Sequence, residues 1–222
     1  MSFYTADSLS FSYTKGDRLF HKVSFNIEKE QRIGLIGPNG CGKTTLVKLM
    51  LGILKPQEGE LYLDGRNIRA LSLSDIGKEI GFVFQNPDKQ LFCPTVMEQL
   101  AFSYNYADKA DREGIESKLE HYLEIFDLTR HRDSSPRSLS YGEKQRVALA
   151  SALSRKVKFL ILDEPVSGLD ILRRSQLADC LLSLKEEGRG YMIIGHEAKH
   201  LIRYVDRLLI LGPEGVEAVD QI

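Results

Sequence analysis

The residues Gly37-Pro38-Asn39-Gly40-Cys41-Gly42-Lys43-Thr44 fit the spacing G-x-x-x-x-G-K-[ST], the pattern of a loop that holds phosphate. Glycines allow successive backbone N–H groups to curl around phosphate oxygens, and the start of a following helix adds partial positive charge. In such a loop Lys43 reaches the β- and γ-phosphates and the Thr44 hydroxyl binds Mg²⁺; Thr45 completes the expected nucleotide-binding set. A second group is Phe159-Leu160-Ile161-Leu162-Asp163-Glu164, an apolar strand ending in two carboxylates, the first of them 120 positions after Lys43. The carboxyl edge of a buried strand is where ligands of open α/β folds bind. Asp163 is expected to hold Mg²⁺, directly or through water, and Glu164 to polarise a water for in-line attack on a γ-phosphate. Strands also end in plain solvated acids; the phosphate loop upstream favours the functional reading.

Leu139-Ser140-Tyr141-Gly142-Glu143-Lys144-Gln145-Arg146 opens a third feature, a helix running on through Val147-Ala148-Leu149-Ala150. Ser140 and Glu143 stand at capping-box spacing. A serine-capped helix start is also an anion site, so both readings stand.

These residues need particular elements beneath them. Arg32–Ile36 is a short buried strand leading into the glycine turn, and Leu46, Leu49, Met50 and Ile53 then follow helical spacing. Before it, Leu9, Phe11 and Tyr13 share one strand face and Val23, Phe25 and Ile27 another, with Lys15-Gly16-Asp17 between them, which predicts an antiparallel sheet. Ile80–Phe84 is a further strand. Thr95 and Glu98 suggest a capping box opening a helix toward Tyr104, and Ile115, Leu119, Tyr122, Leu123 and Phe126 mark an amphipathic helix. From Phe159 onward strands and helices alternate: a helix over Ile171–Glu187, a strand over Tyr191–Ile194 and a last strand over Leu208–Leu211. The expected class is α/β, a phosphate-loop core with a mostly parallel sheet, an N-terminal antiparallel β subdomain and an inserted helical subdomain. The expected organisation is one domain over 1–222, with 1–93 and 158–222 as core and 94–157 as the helical part.

Composition removes several other classes. The 222 residues are 42% hydrophobic and 27% charged, with a formal net charge of -1, so no global field favours nucleic acid or an anionic bilayer and no nucleic-acid partner is expected. Cys41, Cys93 and Cys180 are an odd set without a C-x-x-C pair, which indicates neither a disulfide framework nor a zinc site. No apolar run approaches the ~18 residues of a membrane span, and the N-terminus lacks the pattern of a secretory signal.

Taken together, the phosphate loop, the Ser140 helix start and the Asp163-Glu164 pair resemble the ATP-binding-cassette family, whose signature LSGGQ aligns with Leu139 to Glu143. The resemblance covers nearly the whole chain and implies further roles. Tyr13 falls where the family places an aromatic that stacks on adenine, although a core aromatic sharing a face with Phe11 is an equal reading. Gln85 matches the glutamine that touches Mg²⁺ and the attacking water. Ser167-Gly168-Leu169-Asp170 is similar to the loop whose aspartate, here Asp170, crosses to the other subunit. His196 matches the histidine that contacts the γ-phosphate. The resemblance implies ATP and Mg²⁺ as ligands and two chains sandwiching two nucleotides, each chain's Ser140 helix start capping the partner's γ-phosphate, in a homodimer or a heterodimer with a second such ATPase.

Tyr141 and Glu143 depart from the usual signature, and Cys41 stands where serine is common. A carboxylate beside a partner's γ-phosphate is expected to repel it, which suggests pairing with a non-identical ATPase. The stretch Asn86-Pro87-Asp88-Lys89-Gln90-Leu91-Phe92 resembles the energy-coupling-factor and cobalt-type ATPases, which drive uptake of vitamins and metal ions through a separate membrane subunit. That resemblance implies a peripheral location at the cytoplasmic face of the membrane, with the segment after Gln85 meeting the membrane subunit. A non-transport member acting on a macromolecular complex is the alternative. A chromosome-maintenance type would need sustained heptads between Lys43 and Ser140, and a GTPase an N-K-x-D-like motif; neither pattern is in the sequence.

Overall fold

The computed structural model describes residues 2–14, 18–102, 104, 112–212 and 215–220. In chain order the elements are β1 (Ser2–Ser12), β2 (Arg18–Glu28), β3 (Arg32–Ile36), α1 (Lys43–Met50), β4 (Glu58–Leu63), β5 (Arg66–Asn67), α2 (Leu73–Glu79) and β6 (Ile80–Val83). Three helices follow, α3 (Val96–Ala101), α4 (Arg112–Ile125) and α5 (Tyr141–Leu153). The chain then runs through β7 (Phe159–Asp163), α6 (Ile171–Glu186), β8 (Gly190–Ile194), α7 (Ala198–Leu201), β9 (Arg207–Gly212) and β10 (Gly215–Asp220). It divides into two compact units, one of Met1–Ile80, Val157–Ile161 and Leu184–Ile222, the other of Gly81–Lys156 and Leu162–Ser183.

The first unit holds the N-terminal sheet, ordered β2-β1-β4-β5, and most of a six-stranded sheet ordered β10-β9-β3-β8-β7-β6. β3 lies parallel to both β8 and β9, while β10 returns antiparallel to β9. The runs Arg32–Ile36 and Gly190–Ile194 are apolar almost throughout because such strands are covered on both faces. Phe3, Tyr4 and Phe159 pack edge-on and tilted against one another at centroid distances of 5.5 to 6.3 Å. The buried Tyr4 hydroxyl is satisfied by the Met50 carbonyl at 3.0 Å, so its ring adds apolar area without an orphaned donor. β1 is irregular between Asp7 and Ser10, and its partner β4 answers with Gly59 at φ 74°. A Cβ on Gly59 would stand 2.2 Å from the Ser8 carbonyl oxygen, so a glycine is required at this close approach.

The second unit is largely helical. Leu100, Leu119, Leu123, Phe126, Val147 and Leu149 form its apolar interior, and the Tyr122 hydroxyl donates to the Leu153 carbonyl at 3.2 Å. Two glutamines order the irregular chain between β6 and α3. Gln90 accepts from the Phe84 N–H at 2.9 Å and donates to the Ala148 carbonyl of α5 at 3.2 Å. Gln99 accepts from the Phe92 and Cys93 N–H groups and donates to the Gln90 carbonyl.

Several expectations change. Ile53 is not part of α1, which ends at Met50; left-handed Gly52 terminates the helix, and Ile53 is 52% exposed. Tyr13 lies beyond the end of β1 and does not share its buried face. β6 stops at Val83 and α3 at Ala101, short of Phe84 and Tyr104. Leu208–Leu211 is not the last strand, since β10 follows it. The Lys15–Asp17 turn lies outside the described residues. β4, β5 and α2 had no counterpart in the sequence reading.

Candidate functional site

In the first unit, β3 delivers the chain into the Gly37–Thr44 loop and α1 begins at Lys43. Gly42 is the N-cap at φ 104°, with no side chain capping the first turn. A bare helix start leaves its N–H groups directed at the loop, the arrangement that suits an anion. The Lys43 ammonium is buried within the curl and donates to the Gly37 carbonyl at 2.7 Å and the Pro38 carbonyl at 3.1 Å. Thr44 is exposed at the mouth, and Thr45 is buried behind it.

Tyr13 is 62% exposed and packs edge-on to Phe11 at 5.1 Å, with its hydroxyl 3.0 Å from Thr45 Oγ1. The reading as a core aromatic is therefore corrected: Tyr13 touches Phe11 but keeps most of its ring in solvent beside α1. β8 runs parallel to β3 with Leu35 opposite Ile194, and the Gly195 N–H donates to the Leu35 carbonyl. That register brings exposed His196, just past β8, to the sheet edge from which the phosphate loop leaves.

In the second unit, β7 ends in half-buried Asp163 and Glu164. Glu164 has φ 50°, a left-handed backbone that a non-glycine residue adopts at a cost and that clusters at sites where side-chain direction matters. Its Oε2 accepts from Gln85 Nε2 at 3.0 Å. Two residues given separate roles in the sequence are therefore in direct contact, 79 positions apart in the chain.

Ser140 and Glu143 make a complete capping box at the start of α5. The Glu143 carboxylate accepts from the Ser140 hydroxyl at 2.7 Å and the Ser140 N–H at 2.9 Å. Its other oxygen lies 3.0 Å from His131 Nε2 and 3.3 Å from Arg130. The Ser140 hydroxyl, the Ser140 N–H and His131 hold this carboxyl at about 2, well below the usual carboxylate range. Its negative charge is thus met locally, which tempers the repulsion expected from the sequence. Tyr141 also reaches the glutamine loop, donating to the Gln85 carbonyl at 3.1 Å. Asp170 caps α6 by accepting from the Arg173 N–H at 2.8 Å.

His131, Arg130, Gln90 and the Tyr141 contact were not found by sequence reasoning. Gln90 lies inside the Asn86–Phe92 stretch, but its two-sided bracing leaves no spacing signal. Arg130 and His131 carry nothing that distinguishes them from other surface cations.

A parallel strand, a glycine turn and an uncapped helix opening with Lys-Thr define the class of phosphate-loop nucleoside triphosphatases. A family model described as ABC transporter matches residues 20–167, and the chain belongs to that family as an ATP-binding, ATP-hydrolysing transporter subunit. It is 37% identical over 205 residues to the energy-coupling factor transporter ATP-binding protein EcfA of Methanothermobacter thermautotrophicus, covering 91% of this chain and 66% of that one. The structure of cbiO1 from Clostridium perfringens, part of the ABC transporter complex cbiONQ, superposes with TM-score 0.81 at 28% identity, covering 99% of this chain and 88% of that one. A dimeric ATP-binding cassette in a post-hydrolysis state with ADP and phosphate matches at TM-score 0.83 and 26% identity, covering 98% of each chain. The resemblance to energy-coupling-factor ATPases is borne out at the level of these relatives.

Proposed function

We propose that the chain is the motor subunit of an uptake transporter of the energy-coupling-factor type, moving a vitamin or metal ion through a separate membrane subunit from the cytoplasmic face. The observation carrying this reading is the braced segment after Gln85, which ends in an exposed aromatic pair. Phe92 and Phe102 stack edge-on at 4.7 Å while remaining 55% and 64% exposed. Exposed paired aromatics are the kind of surface a partner covers, and the similarity to EcfA and to the cbiO1 subunit of a transporter complex supports a membrane partner.

In this reading Lys43 and the N–H groups around Gly40–Thr45 hold the β- and γ-phosphates of ATP. Tyr13 stacks on the adenine, and His196 contacts the γ-phosphate. Glu164 polarises the attacking water, Gln85 orients it, and Asp163 supports the site with charge. Thr44, Asp163 and Gln85 offer hydroxyl, carboxylate and amide oxygens, a hard donor set that fits Mg²⁺ held jointly with phosphates. When bound, Mg²⁺ neutralises charge on the β- and γ-phosphate oxygens. The Ser140 helix start and Asp170 face a second cassette across a nucleotide sandwich, a homodimer or a heterodimer, and loss of the γ-phosphate opens it.

Glu164→Gln keeps the shape of the side chain and removes its basicity. ATP binding by calorimetry should persist, turnover should fall by about 10²-fold or more, and light scattering should show an ATP-stabilised dimer; hydrolysis at the parental rate would remove Glu164 from this role. Affinity isolation from membranes, followed by uptake assays with the recovered membrane subunit, tests the transport reading. Recovery on a soluble macromolecular complex without a membrane protein would favour the non-transport alternative.

A further inference from the structure

Tyr141 stands where the family signature carries glycine, so whatever its side chain does is specific to chains that bear it. The phenol donates to the Gln85 carbonyl at 3.1 Å, and Gln85 Nε2 donates to Glu164 Oε2 at 3.0 Å. The ring also lies alongside the loop following Glu164: a methyl group added at Gly168 would meet two ring carbons at 3.5 and 3.7 Å. One side chain therefore bonds to the segment that presents the glutamine and lies beside the segment that follows the carboxylate.

Tyr141 is itself well placed to impose a position. It is the first residue of α5, directly after Ser140, in a turn closed by the Ser140–Glu143 box. Glu143 is in turn tied to His131 and Arg130. The Gln85 segment needs such support because it is irregular chain: the Phe84 N–H is taken by the Gln90 side chain, and Asn86 caps the short turn at Pro87–Lys89. Between those two anchors, the Gln85 carbonyl is gripped by Tyr141. A glutamine side chain has considerable rotational freedom; fixing its backbone narrows the directions from which its amide can meet Glu164, and orientation of reacting groups is worth large factors in rate.

We propose that Tyr141 is a positioning residue for hydrolysis, holding the Gln85 backbone so that the Gln85 amide remains on the Glu164 carboxylate. The inference rests on the reading of Glu164 as the group that polarises water. Tyr141 acts through Gln85 and does not itself touch the reacting atoms.

The test is a double-mutant cycle on the full chain, purified with the cassette it pairs with. Tyr141→Phe keeps the ring beside Gly168 and removes the hydroxyl. It should lower kcat about three- to tenfold, the scale of one neutral hydrogen bond, with KM and calorimetric ATP affinity changed less than about twofold and the melting temperature preserved. Tyr141→Gly should lose at least as much. Gln85→Ala keeps the carbonyl but removes the amide, so in that background Tyr141→Phe should have no further effect on kcat.

An equal loss in both backgrounds would overturn the proposal, because Tyr141 would then act by a route that bypasses the Gln85 side chain. Parental kinetics in Tyr141→Phe would overturn it too. A change in KM and affinity with kcat unchanged would instead make Tyr141 a nucleotide contact. If Glu164→Gln is inactive while the cycle is additive, the Tyr141 proposal alone fails; if Glu164→Gln hydrolyses at the parental rate, the reading of Glu164 fails and this proposal with it.

Discussion

Glu143 shows how a residue that looks misplaced in a motif is accommodated by its surroundings. It accepts from the Ser140 hydroxyl and N–H, and His131 and Arg130 face its other oxygen. Ser140 foremost, and then His131, favour the ionised form, holding the carboxyl at about 2 against an ordinary 4.5. Because the folded value lies below the unfolded one, the stabilisation is fully present above about 4.5 and is lost as pH falls from there through about 2. Glu143→Gln removes that titration while retaining a cap. Denaturant midpoints at pH 7 and pH 3.5 should therefore differ less in the variant than in the parent, and an unchanged pH dependence would show that the carboxylate contributes nothing through ionisation. The spacing of Ser140 and Glu143 made the box legible in the sequence. His131 and Arg130 were not, since their approach depends on how the 129–134 segment folds back toward α5.

At the scale of elements, Gly59 and the irregularity in β1 fix the register of the N-terminal sheet. Gly59→Ala would place a methyl group 2.2 Å from the Ser8 carbonyl oxygen in a left-handed backbone. The substitution should cost about 1–3 kcal/mol, measured by urea unfolding, and a loss below a few tenths would mean that the pair relaxes freely. β4 escaped detection for a related reason: Glu58-Gly59-Glu60-Leu61-Tyr62-Leu63 hides a short apolar alternation behind two acids and a glycine. β3, β7, β8 and β9 were legible because strands covered on both faces read as continuous apolar runs. β10 was missed because Gly215-Val216-Glu217-Ala218-Val219-Asp220 mixes small and charged residues at the end of the sheet. Tyr13 shows the limit of periodicity: it continues the alternation of Leu9 and Phe11, yet β1 ends at Ser12 and the ring turns outward.

For the molecule as a whole, no described helix is long and apolar enough to cross a membrane, and the formal net charge is -1. Neither property anchors the chain to an anionic bilayer by itself. If the proposed transport reading holds, the chain alone should not sediment with phosphatidylglycerol-containing vesicles, whereas co-expressed with a membrane subunit it should, and Phe92→Asp should release it while leaving ATP affinity unchanged. Retention of that variant on the vesicles would place the contact elsewhere.

The two glutamines behind Phe92 have a mechanical consequence. Gln90 and Gln99 lend their side-chain oxygens to the Phe84, Phe92 and Cys93 amides, as the carbonyls of a neighbouring strand would. Those amides should exchange with deuterium far more slowly than is usual for a loop, approaching the rate of α5, to whose Ala148 carbonyl Gln90 is tied. A stretch so stiffened behaves as a strut: a push delivered at Phe92 moves the helix behind it instead of being spent on bending the loop.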